Sequence, residues 1–117
     1  MNRFSKTHVN EDPRTELHDA IGLTGAEVSI NNLPAGANVP FVHSHKNNEE
    51  IYVILEGNGF ATLDGEKVQL QKGDWIRVSP SVKRQFSAAE NSAISFACIQ
   101  VKQNSLGGYT VDDAVIE

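Results

Sequence analysis

The sequence predicts a small antiparallel all-β domain that closes into a barrel or jelly roll. From Glu27 onward, short runs rich in Val, Ile, Phe and Tyr are separated by clusters of Gly, Pro, Asn, Asp and Ser, and helical periodicity is absent. A chain of 117 residues is long enough for one such core. We therefore expect about eight strands, which suffice to close a small barrel.

The expected strands follow one another at short intervals and are joined by turns. The sharpest turn signal is Asp64-Gly65, because a two-residue hairpin turn needs positive φ at both central positions. The strands are expected near Glu27–Leu33, Val39–His45, Glu50–Glu56, Gly59–Leu63, Lys67–Gln71, Asp74–Val78, Arg84–Ala88 and Ala93–Val101.

The ends of the chain are expected to lie outside this barrel. We assign residues 27–103 to the barrel, residues 1–26 to an N-terminal segment that packs on the barrel or on a dimer partner, and residues 104–117 to a C-terminal extension. The secondary structure of the N-terminal segment stays open. Asp12-Pro13 could cap a short helix, but Leu17, Asp19 and Ile21 also alternate as in a strand.

Composition and charge argue against two classes of binding partner, nucleic acids and membranes. A formal net charge of −5 without any basic run argues against nucleic acid, since binding a polyanion relies on clustered Lys and Arg. No apolar run is long enough to cross a bilayer, and residues 1–12 do not resemble a signal peptide. The single cysteine, Cys98, cannot form an internal disulfide. We expect a cytoplasmic protein that binds neither nucleic acid nor membrane.

The residues that suggest chemistry are His43, His45 and Glu50. Side chains at i and i+2 of a strand point to the same face, so the two imidazoles can converge, and a short loop brings Glu50 beside them. Two imidazoles and a carboxylate suit Zn²⁺, Fe(II), Mn²⁺ or Ni²⁺. A pair of histidines in a polar turn is the alternative, and a shift of one residue in the strand would exchange the roles of Glu49 and Glu50.

The spacing of these residues resembles the first sequence motif of the cupin family. Gly36, six residues, His43-x-His45, four residues, Glu50, six residues and Gly57 follow that motif, except that the leading glycine lies one residue further out than usual. The resemblance extends over roughly residues 36–101. It implies an antiparallel double-stranded β-helix, or jelly-roll barrel, with a metal centre in its cavity, and a chain of this size is expected to form a homodimer.

The second cupin motif resembles the block from Gly73-Asp74 to Phe86, with one consequential departure. In this alignment the histidine that is normally the fourth metal ligand falls at Arg84. Arginine stays protonated and does not donate a lone pair to a cation, so three protein ligands remain. Arg84 could hold the carboxylate or phosphate of a small ligand, it could weaken metal affinity by its charge, or it could be a strand-edge side chain that extends to solvent.

Tyr52 has the same parity as Glu50 and is expected to face the same interior, where it could orient a ligand or be a core aromatic.

Two functions from different classes follow from the resemblance. One is a metal-dependent dioxygenase, decarboxylase or isomerase of a small, anionic molecule, with Arg84 and Tyr52 as substrate-binding residues. The other is a non-catalytic module that binds or senses a small molecule in the cavity without a bound metal.

Overall fold

The fold was analysed in a computed structural model that describes residues 3–108 and 112–117. Parts of the expected N-terminal segment and C-terminal extension, residues 1–2 and 109–111, lie outside the described residues. Within the described chain there are seven strands and one short helix, in the order β1 Arg14–Glu16, α1 His18–Ile21, β2 Glu27–Leu33, β3 Asn48–Leu63, β4 Glu66–Gln71, β5 Trp75–Val78, β6 Arg84–Ala88 and β7 Ile94–Lys102.

The strands form an antiparallel jelly-roll barrel in two layers that share β3. One layer has the order β1-β2-β7-β3-β5 and uses the first half of β3. In the other, the second half of β3 lies between β4 and β6. Because one strand runs through both layers, side chains from its two halves face a common interior. The all-β prediction and the jelly-roll architecture are confirmed.

The inward face of β3 changes parity part-way along the strand. Glu50, Tyr52 and Ile54 are buried in its first half, whereas Gly59 and Ala61 are buried in its second half. The change coincides with a register shift opposite β7 between Ile54 and Glu56. A bulge of this kind bends a strand and increases its twist, which lets one strand serve two layers.

The number of strands differs from the predicted eight for three local reasons. The expected strands Glu50–Glu56 and Gly59–Leu63 are one strand, β3, and β1 forms in the segment that was left open. The predicted strand Val39–His45 is wrong, because this segment pairs with β6 only at one isolated bridge, between His43 and Arg84. Pro40, the second residue of the segment, has no N–H to give to a ladder.

The structure tests the predictions made for the Asp64-Gly65 turn and for the N-terminal segment. Asp64 has φ 49° and Gly65 has φ 85°, so the tight hairpin between β3 and β4 is confirmed. In the N-terminal segment the strand alternation at Leu17, Asp19 and Ile21 does not form a strand, because these residues belong to the short helix α1 and its N-cap, which is Leu17 and not Asp12. The strand β1 lies just before them and pairs with β2. Across the described residues, no helix has the length and apolar character needed to span a membrane.

The core is built around three aromatic rings from three strands. Tyr52 stacks on Phe86 with ring centroids 4.1 Å apart, and Phe86 stacks on Phe96 at 5.0 Å. Ile54 and Ile94 are among the largest fully buried side chains and complete the apolar end of the barrel. Burial of these rings therefore fixes the inner wall on which the polar end of the cavity is built.

Candidate metal centre

The three candidate ligands come from two neighbouring segments of chain. Glu50 lies on β3, and the loop before this strand carries His43 and His45. Backbone hydrogen bonds hold the loop: the His43 and Arg84 residues exchange N–H···O bonds of 3.1 and 2.9 Å, and the His45 N–H donates to the Pro80 carbonyl at 2.8 Å. Irregular backbone thus presents both imidazoles without forming a strand.

The structure brings His43, His45 and Glu50 together in one cluster. One ligand atom from each residue lies within 4.8 Å of the other two. His43 Nε2 is 3.6 Å from Glu50 Oε1, and His45 Nε2 is 3.2 Å from Glu50 Oε2. The side chains alternate as expected, because Glu50 faces the interior while Glu49 pairs with Arg77 on the outside.

Glu50 accepts hydrogen bonds from three neighbours. Tyr52 Oη and Arg84 Nη1 donate to Oε1 at 2.5 and 2.7 Å, and the Cys98 thiol donates to Oε2 at 3.2 Å. Burial raises the pKa of Glu50, but these hydrogen bonds outweigh it and the net pKa is lowered. Glu50 is therefore an ionised carboxylate whose Oε2 is the oxygen nearer to the His45 ring.

The electrostatics of His43 favour its neutral form. Burial lowers its pKa, the Glu50 carboxylate opposes that shift, and the His45 and Arg84 charges add to it, so that the net pKa lies below the ordinary 6.5. A neutral imidazole keeps a lone pair for a cation. At neutral pH the cluster thus offers a carboxylate beside an uncharged His43 ring.

Arg84 lies beside this cluster and is fully buried, at 0% exposure. Besides Glu50, its guanidinium donates to the carbonyl oxygens of Ser79, Pro80 and Val82 at 2.8 to 3.0 Å. The alternative of an arginine that extends to solvent is therefore wrong. The geometry favours a structural role over the substrate-binding role expected from the sequence, because Arg84 has no surface to offer a ligand.

The cluster opens into a cavity of about 260 Å³ at the polar end of the barrel. Tyr52 lines it, as expected from its parity, whereas Arg84 does not. Several polar residues that the sequence did not single out also line it, above all Arg14 on β1. The full lining is Arg14, Asn31, Val39, Phe41, His43, His45, Glu50, Tyr52, Phe86, Phe96, Cys98 and Gln100.

Tyr52→Phe is expected to destabilise the protein by about 1.5–3 kcal/mol at pH 7, because it removes a hydrogen bond to an ionised group and keeps the ring stack on Phe86. The folded-state pKa of Glu50 lies below its ordinary 4.5. The destabilisation caused by Tyr52→Phe should therefore have its full size above pH 4.5 and become smaller as the pH falls through the folded-state pKa of Glu50. Urea unfolding at several pH values measures it, and a difference that does not change with pH would contradict the assignment.

Comparison with known proteins identifies the family. The sequence pattern of the Cupin domain matches residues 30–100, which include all three candidate ligands and Arg84. This chain belongs to the cupin family. A crystal structure of a cupin protein from Bacteroides fragilis is 63% identical, has a TM-score of 0.96, and is matched over 100% of this chain and 99% of that chain.

Two further relatives are more distant. A predicted oxalate decarboxylase from Thermotoga maritima has a TM-score of 0.58 and 25% identity over 66% of this cupin and 64% of that chain. An uncharacterized protein from Methanocaldococcus jannaschii is 38% identical over 66 residues, which are 56% of this chain. The aligned stretch spans about half the length of that relative, 52%.

The cupin motifs found three of the residues that gather at the cavity but missed others. Arg14, Asn31 and Gln100 belong to no motif. Asn31 left one signal in the sequence, since Ser29 and Asn31 share a face of the predicted strand Glu27–Leu33 and form a polar pair there. No sequence pattern indicated that Arg14 would line the cavity, because Arg14 precedes the predicted barrel in a segment whose secondary structure was not assigned.

Proposed function

We propose that this cupin binds a divalent metal ion through His43, His45 and Glu50 and uses the cavity to bind, or act on, a small anionic molecule. The observation that carries the proposal is the convergence of these three donor groups within 4.8 Å. Zn²⁺, Fe(II), Mn²⁺ and Ni²⁺ all accept such a set of donors.

The residues present fit a metal ion. His45 Nε2 is buried and has no hydrogen-bond partner among the described residues, although it faces Glu50 Oε2. A buried polar atom without a partner is costly, and coordination of a cation would remove that cost. When bound, a metal with an open position would supply Lewis acidity or, if it is iron, oxygen activation.

The chain's own residues would hold and orient the reactants. Arg84 and Tyr52 bond one oxygen of Glu50 and so fix the carboxylate, which is the task of outer-shell partners at metal centres. The stacked rings of Phe86 and Phe96 supply an apolar part of the cavity wall. A volume of about 260 Å³ restricts the ligand to a small molecule.

His43→Ala and His45→Ala are each expected to lower metal affinity by more than about 100-fold, since loss of a ligand should exceed the 10- to 100-fold effect of losing an outer-shell partner. His18→Ala is the matched control, because His18 is exposed and pairs with Asp19 away from the cluster. Calorimetric titration with Zn²⁺ and Mn²⁺, together with elemental analysis, measures the effect. Stoichiometric metal in both variants would refute the proposed site.

A second candidate function, binding or sensing without catalysis, also has an observation in its favour. Burial raises the pKa of both Tyr52 and Cys98 well above the neutral range, so neither is suited to general base catalysis. Glu50 is already bonded to three donors. Turnover of small carboxylates or sugar phosphates with Fe(II), Mn²⁺ or Zn²⁺ would favour the enzyme. Tight binding without turnover would favour the sensor.

Other expectations from the sequence stay predictions. These are the homodimer, the cytoplasmic location and the absence of nucleic acid and membrane partners. Size-exclusion chromatography with light scattering tests the homodimer, and a monomer at micromolar concentration would contradict it.

A further inference from the structure

Arg14 lies at the edge of the cavity, on a strand, β1, that pairs with β2. It lies opposite Asn31 in the register of these strands. Backbone bonds secure both ends of β1, since the Asn32 N–H donates to the Pro13 carbonyl at 2.9 Å and the Leu17 N–H to the Val28 carbonyl at 2.8 Å. The backbone that carries Arg14 is therefore part of the sheet and not a loose tail.

The guanidinium of Arg14 is oriented by a polar chain inside the barrel. Its Nη1 donates to Asn31 Oδ1 at 2.9 Å, and Asn31 Nδ2 donates to Ser29 Oγ at 3.1 Å. Asn31 and Ser29 are buried, so this chain has a fixed geometry. Arg14 Nη2 is 3.8 Å from Glu16 Oε2, and both of these side chains are more than half exposed, which makes their ion pair weak.

Several donors of Arg14 thus stay available to a ligand. Among the described residues that line the cavity, Arg14 is the sole Lys or Arg. It lines the same cavity as Glu50 and Cys98, so its charge lies at the cavity wall. The charges of Arg84 and Glu50 offset each other at 2.7 Å, which leaves Arg14, whose ion pair with Glu16 is weak, as the positive charge of the cavity lining.

We infer that Arg14 binds the carboxylate of a small acid in the cavity, and that Arg14, rather than Arg84, selects an anionic ligand. The inference rests on the proposed function, since it names the substrate class of the same site. A guanidinium with two free N–H groups matches a planar carboxylate. At about 30 Å³ for each water, the cavity of about 260 Å³ holds a molecule of roughly ten non-hydrogen atoms or fewer.

The test is calorimetric titration of malonate into metal-free and Zn²⁺-loaded protein at low ionic strength, with neutral malonamide and inorganic phosphate as comparison probes. Arg14→Gln is expected to weaken malonate binding about ten- to a hundredfold and to leave Zn²⁺ affinity unchanged. Arg14→Lys keeps the charge but loses the planar guanidinium, so its malonate affinity should lie between those of the wild type and Arg14→Gln. Arg77→Gln is the matched control, because Arg77 is equally exposed but lies outside the cavity.

The side-chain amide signals of Asn31 in NMR spectra report where malonate binds. At a malonate concentration that saturates the wild type but is well below the Kd expected for Arg14→Gln, they should shift in the wild type and not in the variant. Malonate affinity equal to wild type in Arg14→Gln would overturn the inference, as would no malonate binding to wild type in either metal state. Tighter binding of phosphate than of malonate would overturn the assignment to carboxylates. Malonate binding that depends on Arg14 in a protein unable to hold Zn²⁺ would refute the proposed metal site and leave this inference standing.

Discussion

Arg84→Ala is expected to destabilise the protein by about 3–5 kcal/mol, because it leaves the Glu50 carboxylate buried without its ion-pair partner. The same change removes the donors to the carbonyl oxygens of Ser79, Pro80 and Val82. These carbonyls belong to the turn that also bonds the His45 backbone. Loss of Arg84 should therefore disorder the candidate metal centre as well as destabilise the barrel.

Arg77→Ala is the matched control for this prediction. Arg77 also pairs with a glutamate of β3, Glu49, but its side chain is 52% exposed, so its loss should cost about 1 kcal/mol or less. Arg84→Met keeps much of the side-chain volume and separates the lost charge from a lost packing contact. Urea unfolding at pH 7 measures all three variants. Equal losses for Arg84→Ala and Arg77→Ala would contradict the structural role of Arg84.

Gly57→Ala is expected to cost more than about 3 kcal/mol or to prevent folding. Gly57 has φ 80° just after the bulge of β3, and a Cβ there would lie 1.8 Å from the Ala93 carbonyl oxygen. Neither backbone can move freely, because Gly57 is paired with Ile94 of β7. Backbone strain and a backbone clash therefore act together.

Gly65→Ala separates these two causes. Gly65 has nearly the same φ, 85°, but a Cβ there meets no atom within 4 Å. Its substitution should show the cost of positive φ alone, about 1–2 kcal/mol. Thermal and urea unfolding of both variants give the comparison. If Gly57→Ala were no worse than Gly65→Ala, the close approach of β3 and β7 would not be what requires glycine at position 57.

Much of the fold could be predicted because its signals are local. The bounds of β2 and β6 match the predicted strands, and Asp64-Gly65 forms the expected hairpin. The predicted strand Val39–His45 was wrong because the prediction followed the apolar content of the segment, although Pro40 disfavours a strand there. The prediction also divided β3 at Gly57, because a glycine between two apolar runs indicates a turn as readily as a bulge.

The sequence by itself predicted the cluster of His43, His45 and Glu50 at the cavity, because these residues lie close along the chain and follow a family spacing. Only the tertiary structure decided the positions and contacts of the two arginines. Arg84 is paired with Glu50 from another strand, and Arg14 enters the cavity from outside the predicted barrel. Strand pairing sets both positions, and pairing between distant segments depends on burial that no local pattern encodes.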